Sequence, residues 1–186
     1  MVFQSAVLFP WLTVRQNIAY GLKLNRKSGV FGRKDHEEIS RKDHKEIDNI
    51  CTRYIQLVGL EGFENYYPAQ LSGGMQQRVS LARVLALSPK MLLMDEPFAA
   101  LDAQTRIAMQ QLLLTISAQL RPTVLFVTHD VEEALILADK VYVMSRLPGR
   151  IISEIEVPFQ RPRPISIIGS AEFSKIKSEI LELLFN

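Results

Sequence analysis

The apolar residues of this chain fall into helical and strand patterns in turn, and one stretch organises the rest. Residues 71–102 read LSGGMQQRVSLARVLALSPKMLLMDEPFAALD. Met75, Val79, Ala82 and Leu85/Ala86 recur at helical spacing. Ser72 is placed to cap the start of that helix, and Ser88-Pro89 to stop it. Residues 91–94 form a short apolar run of the kind found in fully buried parallel strands. The run ends abruptly in Asp95-Glu96. Residues 97–102 then turn the chain into a further helix, with Asp102 at its N-cap.

The same alternation extends through the chain. Residues 1–4 read as the end of a strand running into a loop. A helical region begins over residues 17–21. Ile47, Ile50/Cys51, Tyr54, Ile55 and Val58 form an amphipathic stripe, closed by Gly59 and Gly62. Met109, Leu112/Leu113, Ile116 and Leu120 mark a helix ending before Pro122. Residues 123–128 form a second buried strand, which ends in His129-Asp130. Asp130 and Glu133 make a capping-box pattern at the next helix start. Residues 141–144 read as a third strand, 147–150 as a turn and 151–157 as a mostly alternating return strand. Pro158, Pro162 and Pro164, with two arginines, read as an extended linker. Phe173, Ile176, Ile180 and Leu183/Leu184 make a C-terminal amphipathic helix. The class is α/β.

Residues 23–45 turn polar and contain a near-tandem repeat, RKDHEEIS (33–40) and RKDHKEID (41–48). It reads as a charged helical extension with a solvated face, Ile39 and Ile47 being its few apolar contacts. His36 and His44 are more than two helical turns apart, too far to share a metal, and read as surface residues. Composition narrows the picture further. With 22 basic and 20 acidic residues the net charge is +2, which argues against a nucleic-acid protein driven by a basic face. At 186 residues and 47% apolar content the chain suits one domain with room for a subdomain. The single cysteine excludes an internal disulfide, and Cys51 sits among core residues rather than as a nucleophile. No apolar run approaches membrane-spanning length. The short apolar patch at 6–12 is broken by Pro10 and lacks a basic lead-in, so it is not read as a signal peptide.

The candidate chemistry lies at the ends of elements. Adjacent carboxylates at the C-terminal end of a buried strand cannot be core; they lie where ligands bind in open α/β sheets. One can hold Mg²⁺ and the other can act on water. His129 repeats that position on the second strand. A helix start carrying Ser and two Gly leaves backbone N–H groups and a positive dipole end free, which suits a phosphate. Residues 29–34 (GVFGRK) have the look of a phosphate loop but fail its test. Lys34 is followed by Asp35, and no apolar strand precedes Gly29.

Three segments in this order and spacing carry a resemblance. LSGGMQQR (71–78), MLLMDEP (91–97) and FAALD (98–102) resemble the signature motif, the Walker B strand with its catalytic glutamate, and the D-loop of the ATP-binding subunit of ABC transporters. The resemblance implies a P-loop NTPase-type α/β core with a helical subdomain. It divides the chain into the Q-loop region (1–16), the helical subdomain with the signature motif (17–88), the remaining core (89–157) and a C-terminal linker and helix (158–186). ATP and Mg²⁺ are the implied cofactors. Asp95 would hold Mg²⁺, and Glu96 would act as base or orient the water. Gln4 matches the Q-loop glutamine near Mg²⁺ and water, and His129 the H-loop histidine that senses the γ-phosphate. Ser72, Gly73, Gly74 and Gln76 would meet ATP bound by the second subunit of a head-to-tail dimer, and Asp102 belongs to the D-loop. The implied partners are that second ATPase subunit, transmembrane permease subunits and, through them, a solute-binding protein; nucleic acid is not among them. The implied place is peripheral, on the cytoplasmic side of the cell membrane. From the residues alone, Phe9, Trp11 and Leu12 read equally as core or as interface anchors; the resemblance favours docking on the permease. The tail LPGRIISEIEVPFQRPR is similar to the ATPases of nitrate, sulfonate and taurine importers.

One family element has no match. No Gly-x-x-x-x-Gly-Lys-Ser/Thr occurs in residues 1–186. The expectation is an N-terminally truncated chain that lacks the Walker A strand, loop and helix. Residues 91–94 and 123–128 should then have an open neighbouring edge, and this chain alone should not hydrolyse ATP. The alternative is a non-catalytic fragment or partner subunit that lends only its signature motif. A DNA-repair ATPase of the same superfamily is discounted, because residues 21–70 are too few for its coiled coil.

Overall fold

Three helices form one layer of the molecule. The computed structural model describes residues 1–3, 6–27 and 38–185. Within it α1 (Val14–Lys27), α2 (Glu38–Leu57) and α3 (Gly73–Leu85) pack on one another. Their apolar stripes supply the reason: Val14 and Ile18, Cys51 and Ile55, and Val79 and Ala82 are all buried. Burial pushes the Cys51 thiol up to about 11, the behaviour of an inert core cysteine. Gly59, at φ 64, lies just past the end of α2. A side chain there would meet Arg78 Nη1 at 3.2 Å, the group that donates to the Val58 carbonyl at 3.1 Å. Residues 33–37 of the tandem repeat, with His36, lie outside the described residues. The rest of the repeat lies in α2, where Ile47 is buried and His44 exposed.

α1 begins at Val14, earlier than the helical pattern at 17–21 indicates. The reason is Asn17, which is fully buried rather than part of a polar helix start. Its side chain accepts from Phe9 N at 2.9 Å and donates to the carbonyls of Phe9, Leu12 and Thr13 at 3.2, 2.9 and 3.0 Å. One amide thus folds residues 9–13 back onto the helix.

The second layer is a sheet. β1 (Met91–Asp95) and β2 (Thr123–Val127) run parallel, joined by α4 (Ala103–Leu120), with Asp95 opposite Val127. Val2 pairs with the other edge of β1: its N–H donates to Leu93 O at 2.8 Å, and Asp95 N donates back to Val2 O at 3.0 Å. An open edge is expected for both strands; among the described residues it falls on β2, while Val2 occupies the other edge of β1. Full burial of the two strands is also corrected. Leu92 and Met94 are buried against the helices, whereas Met91, Leu93, Leu125 and Val127 are exposed. The described residues lay nothing over that outer face. β3 (Lys140–Met144) and β4 (Ile151–Glu156) form a separate antiparallel hairpin, with a register irregularity between Val143 and Met144. α5 (Val131–Leu137) and α6 (Ala171–Phe185) pack beside it, α6 burying Phe173 and Ile180. No helix among the described residues is long and apolar enough to cross a membrane.

The segment after β4, read as an extended linker, is anchored by its arginines. Arg163 is 5% exposed. It donates to the carbonyls of Phe159, Leu135, Ile136 and Ala138 at 2.9, 3.2, 3.1 and 2.5 Å. The cation thereby satisfies carbonyls at the C-terminal end of α5 that the helix leaves unpaired. Asp139, 3.4 Å from Nη2, supports its charge, while burial pushes its pKa down. Arg161 adds a bond to Asp139 at 2.8 Å. Replacing Arg163 by Leu strands these carbonyls and should cost about 3 kcal/mol. Urea denaturation should show a lower midpoint with an unchanged m-value.

Candidate active site

The parallel pairing of β1 and β2 decides where the polar strand ends lie. Glu96 N donates to Val127 O at 2.9 Å, one residue past the end of β1. Glu96 itself takes φ 43, in the left-handed region. A non-glycine residue there costs on the order of 1–3 kcal/mol, and such residues cluster at active sites. The turn aims its carboxylate at the next strand end. Glu96 Oε1 lies 3.3 Å from His129 Nδ1, with Glu96 about one-third exposed and His129 open to solvent. Asp95 closes β1 on its exposed side. Among the described residues no three His, Cys, Asp or Glu side chains converge to hold a metal by themselves. Two neighbouring accessible carboxylates still fit Mg²⁺, which is held by one or two carboxylates together with phosphates and water.

Behind Glu96 and His129 lies a cavity of about 30 Å³, also lined by Phe98, Arg106, Thr128 and Glu133. It has room for about one or two waters. Arg106 Nε is buried without a hydrogen-bond partner, while Nη2 donates to Leu101 O at 3.1 Å and Nη1 lies 3.9 Å from Asp130 Oδ2. Asp130 caps α5, accepting from Glu132 N and Glu133 N at 2.9 and 3.2 Å. The expected capping box is only half made. Glu133 is buried and its carboxylate instead accepts from Gln110 Nε2 at 3.2 Å.

The Ser-Gly-Gly helix start is a separate structure. Ser72 caps α3, its Oγ accepting from Met75 N at 3.3 Å. A side chain at Gly73 would meet open space; one at Gly74 would lie 2.4 Å from Thr105 Cγ2. Thr105 stands in the first turn of α4, where its N–H donates to the capping Asp102 Oδ1 at 3.0 Å. The Thr105 hydroxyl and amide hold the Asp102 carboxyl below the usual carboxylate range. Gln76 turns back, donating to Pro68 O and Leu71 O at 3.0 and 3.3 Å. None of Ser72, Gly73 or Gly74 lines the Glu96–His129 cavity. Gln4 lies outside the described residues, although Val2 and Phe3 bring the chain to the β1 edge beside Asp95.

Three polar residues were not singled out from the sequence: Asn17, Gln77 and Arg106. Gln77 is buried and donates through one nitrogen to Phe3 O at 2.9 Å and Pro97 O at 2.8 Å. Its signal was faint: a polar residue four before buried Leu81, hence in phase with the apolar face of α3.

Fold and site together define an α/β domain with a helical layer and polar groups gathered at the ends of parallel strands. The ABC transporter family model matches residues 1–99, and the chain belongs to that family. Its relatives include an uncharacterised ABC transporter ATP-binding protein of Methanocaldococcus jannaschii, 46% identical over 99% of this chain and 65% of the relative. A nitrate import ATP-binding protein of Synechocystis is 44% identical over 99% of this chain and 66% of its own length. A taurine import ATP-binding protein of Pelagibacter ubique is 42% identical over 100% of this chain and 66% of its own length. The chain thus spans 65 to 66% of the length of these relatives. Among solved structures, a dimeric ATP-binding cassette in a post-hydrolysis state, bound to ADP and Pi, superposes with TM-score 0.63 at 31% identity, over 86% of this chain and 62% of that one.

The Gly74–Thr105 contact yields a test. Gly74→Ala should destabilise the chain by about 1–3 kcal/mol through overpacking. Thr105→Ser, which removes Cγ2 and keeps the hydroxyl, should relieve most of that cost. Gly73→Ala should be neutral or stabilising by about 0.5–1 kcal/mol. Chemical denaturation of the three variants and the double variant checks the pattern.

Proposed function

We propose that this chain is part of an ATP-binding, ATP-hydrolysing subunit that energises an importer of a small solute of the nitrate, sulfonate or taurine kind, and that it carries the catalytic groups of the site but not the Walker A phosphate loop. The observation that carries the reading is Glu96 held at φ 43 with its carboxylate against His129, at the ends of parallel strands. Asp95 would hold the Mg²⁺ that accompanies ATP, which would supply charge neutralisation of the phosphates. Glu96 takes the proton of the attacking water or orients it, Gln4 serves Mg²⁺ and that water, and His129 contacts the γ-phosphate. The uncovered Gly73 and the capped helix start suit close approach of a phosphate. In this reading Ser72, Gly73, Gly74 and Gln76 act on ATP held by a second copy, head to tail, and Asp102 stands at that junction. The names of relatives support the solute class, and the dimeric neighbour supports the pairing.

The permease partner has a candidate surface. Val7, Leu8, Phe9, Tyr20, Arg83 and Leu87 line an apolar groove of about 250 Å³. Trp11, 70% exposed, stands near it, its ring 5.8 Å from that of Phe9. An exposed Trp beside an apolar groove suits an interface anchor better than a core residue. Residues 17–88 then act as the helical subdomain between the permease and the partner's ATP, and residues 1–16 and 89–157 as the core. The subunit sits peripherally on the cytoplasmic face, with residues 158–186 closing its C-terminal side.

In the assembled transporter, Glu96→Gln should retain ATP binding and lose turnover by about 10²–10⁴-fold. Nucleotide-binding titration and phosphate release, measured on the same preparation, separate the two effects. Near-normal hydrolysis would remove Glu96 from the mechanism.

A further inference from the structure

We propose that Gln77 is a positioning residue that fastens two loops of the site, one leading into Gln4 and one leaving Glu96, to the helix that starts at Ser72. The roles of Gln4 and Glu96 rest on the proposed function; the fastening itself does not. Gln77 stands one turn after Gly74 on α3 and is 2% exposed. Its amide nitrogen has two hydrogens, and both are used. One reaches Phe3 O at 2.9 Å and the other Pro97 O at 2.8 Å. Among the described residues neither carbonyl has another donor. Phe3 immediately precedes Gln4, and Pro97 immediately follows Glu96.

A single side chain therefore links three parts of the chain that are remote in sequence. A buried amide whose two donors serve two loops fixes those loops relative to each other and to α3. Removing the donors leaves both carbonyls short of a partner, and both loops should loosen together. The same α3 carries Gly74 against Thr105 one turn earlier. A displacement of the Ser72–Gly74 end thus has a direct route to the Glu96 turn through Gln77.

Gln77→Met keeps the side chain's length and removes both donors. Hydrogen exchange of the chain should show the amides of Val2, Glu96 and Ala99 losing protection together, by about ten- to a hundred-fold. Ile180→Val, a core change in α6, should leave these amides unchanged relative to the rest of the molecule. Loss confined to one loop, or the same loss in Ile180→Val, would overturn the proposal. If Gln77→Met does not fold, the unaltered chain decides it. Both side-chain amide protons of Gln77 should exchange at least about tenfold more slowly than those of a free glutamine, and free exchange of either overturns the clamp. In the assembled transporter, Gln77→Met should lower kcat about tenfold and leave KM for ATP within about twofold; a loss carried by KM instead overturns the positioning role. The exchange measurements need no nucleotide, so their failure leaves the ATPase reading intact, and failure of that reading leaves the clamp standing.

Discussion

The site depends on the register of one pair of parallel strands. Asp95 lies opposite Val127, and the hydrogen bond from Glu96 N to Val127 O carries the ladder one residue further. That bond fixes the point at which the chain leaves the sheet into a left-handed conformation. A slip of one residue would send every side chain of β1 to the opposite face, and Glu96 away from His129. Leu92 and Met94, buried on one face, oppose such a slip, and the Val2 bridge braces the far edge. The sheet therefore sets where the strained glutamate stands, and its contact with His129 follows from that placement.

Around this pair, the helices act as struts between loops. The starts of α3 and α4 meet where Gly74 admits the Thr105 methyl, and Asp102 caps the turn that presents it. Arg106, one residue on, bonds back to the Leu101 carbonyl and lies beside Asp130, the cap of α5. Gln110 then meets Glu133 inside the same packing. The links run through a close steric fit, a helix cap and hydrogen bonds to a carbonyl and between buried side chains. Together these links keep the Ser-Gly-Gly helix start and the Glu96 turn in fixed relation within one chain.

Much of this was legible in the sequence, because local rules decided it. Ser72, Asp102 and Asp130 cap the helices that their positions indicate, and the runs at 91–94 and 123–128 do hold parallel strands, the second ending one residue earlier at Val127. What was not legible depends on residues remote in sequence. Asn17 and Gln77 look like surface amides until the loops they hold are folded over them. Glu133 matched a local capping pattern, but a buried Gln110 from another helix took its carboxylate. The arginines after β4 read as linker because their carbonyl partners lie on α5 and beside it. Burial of β1 and β2 was over-read, since an apolar run carries no information on whether both faces are covered.

In the proposed function Glu96 and His129 act as one unit on ATP. A double-mutant cycle in the assembled transporter tests it most directly, using Glu96→Gln, His129→Ala and the pair. Groups that serve one step lose most of their effect together, so the double variant should hydrolyse ATP no more slowly than the slower single variant. Multiplying losses, with the two changes acting independently on kcat, would mean that the two groups do not work as one unit.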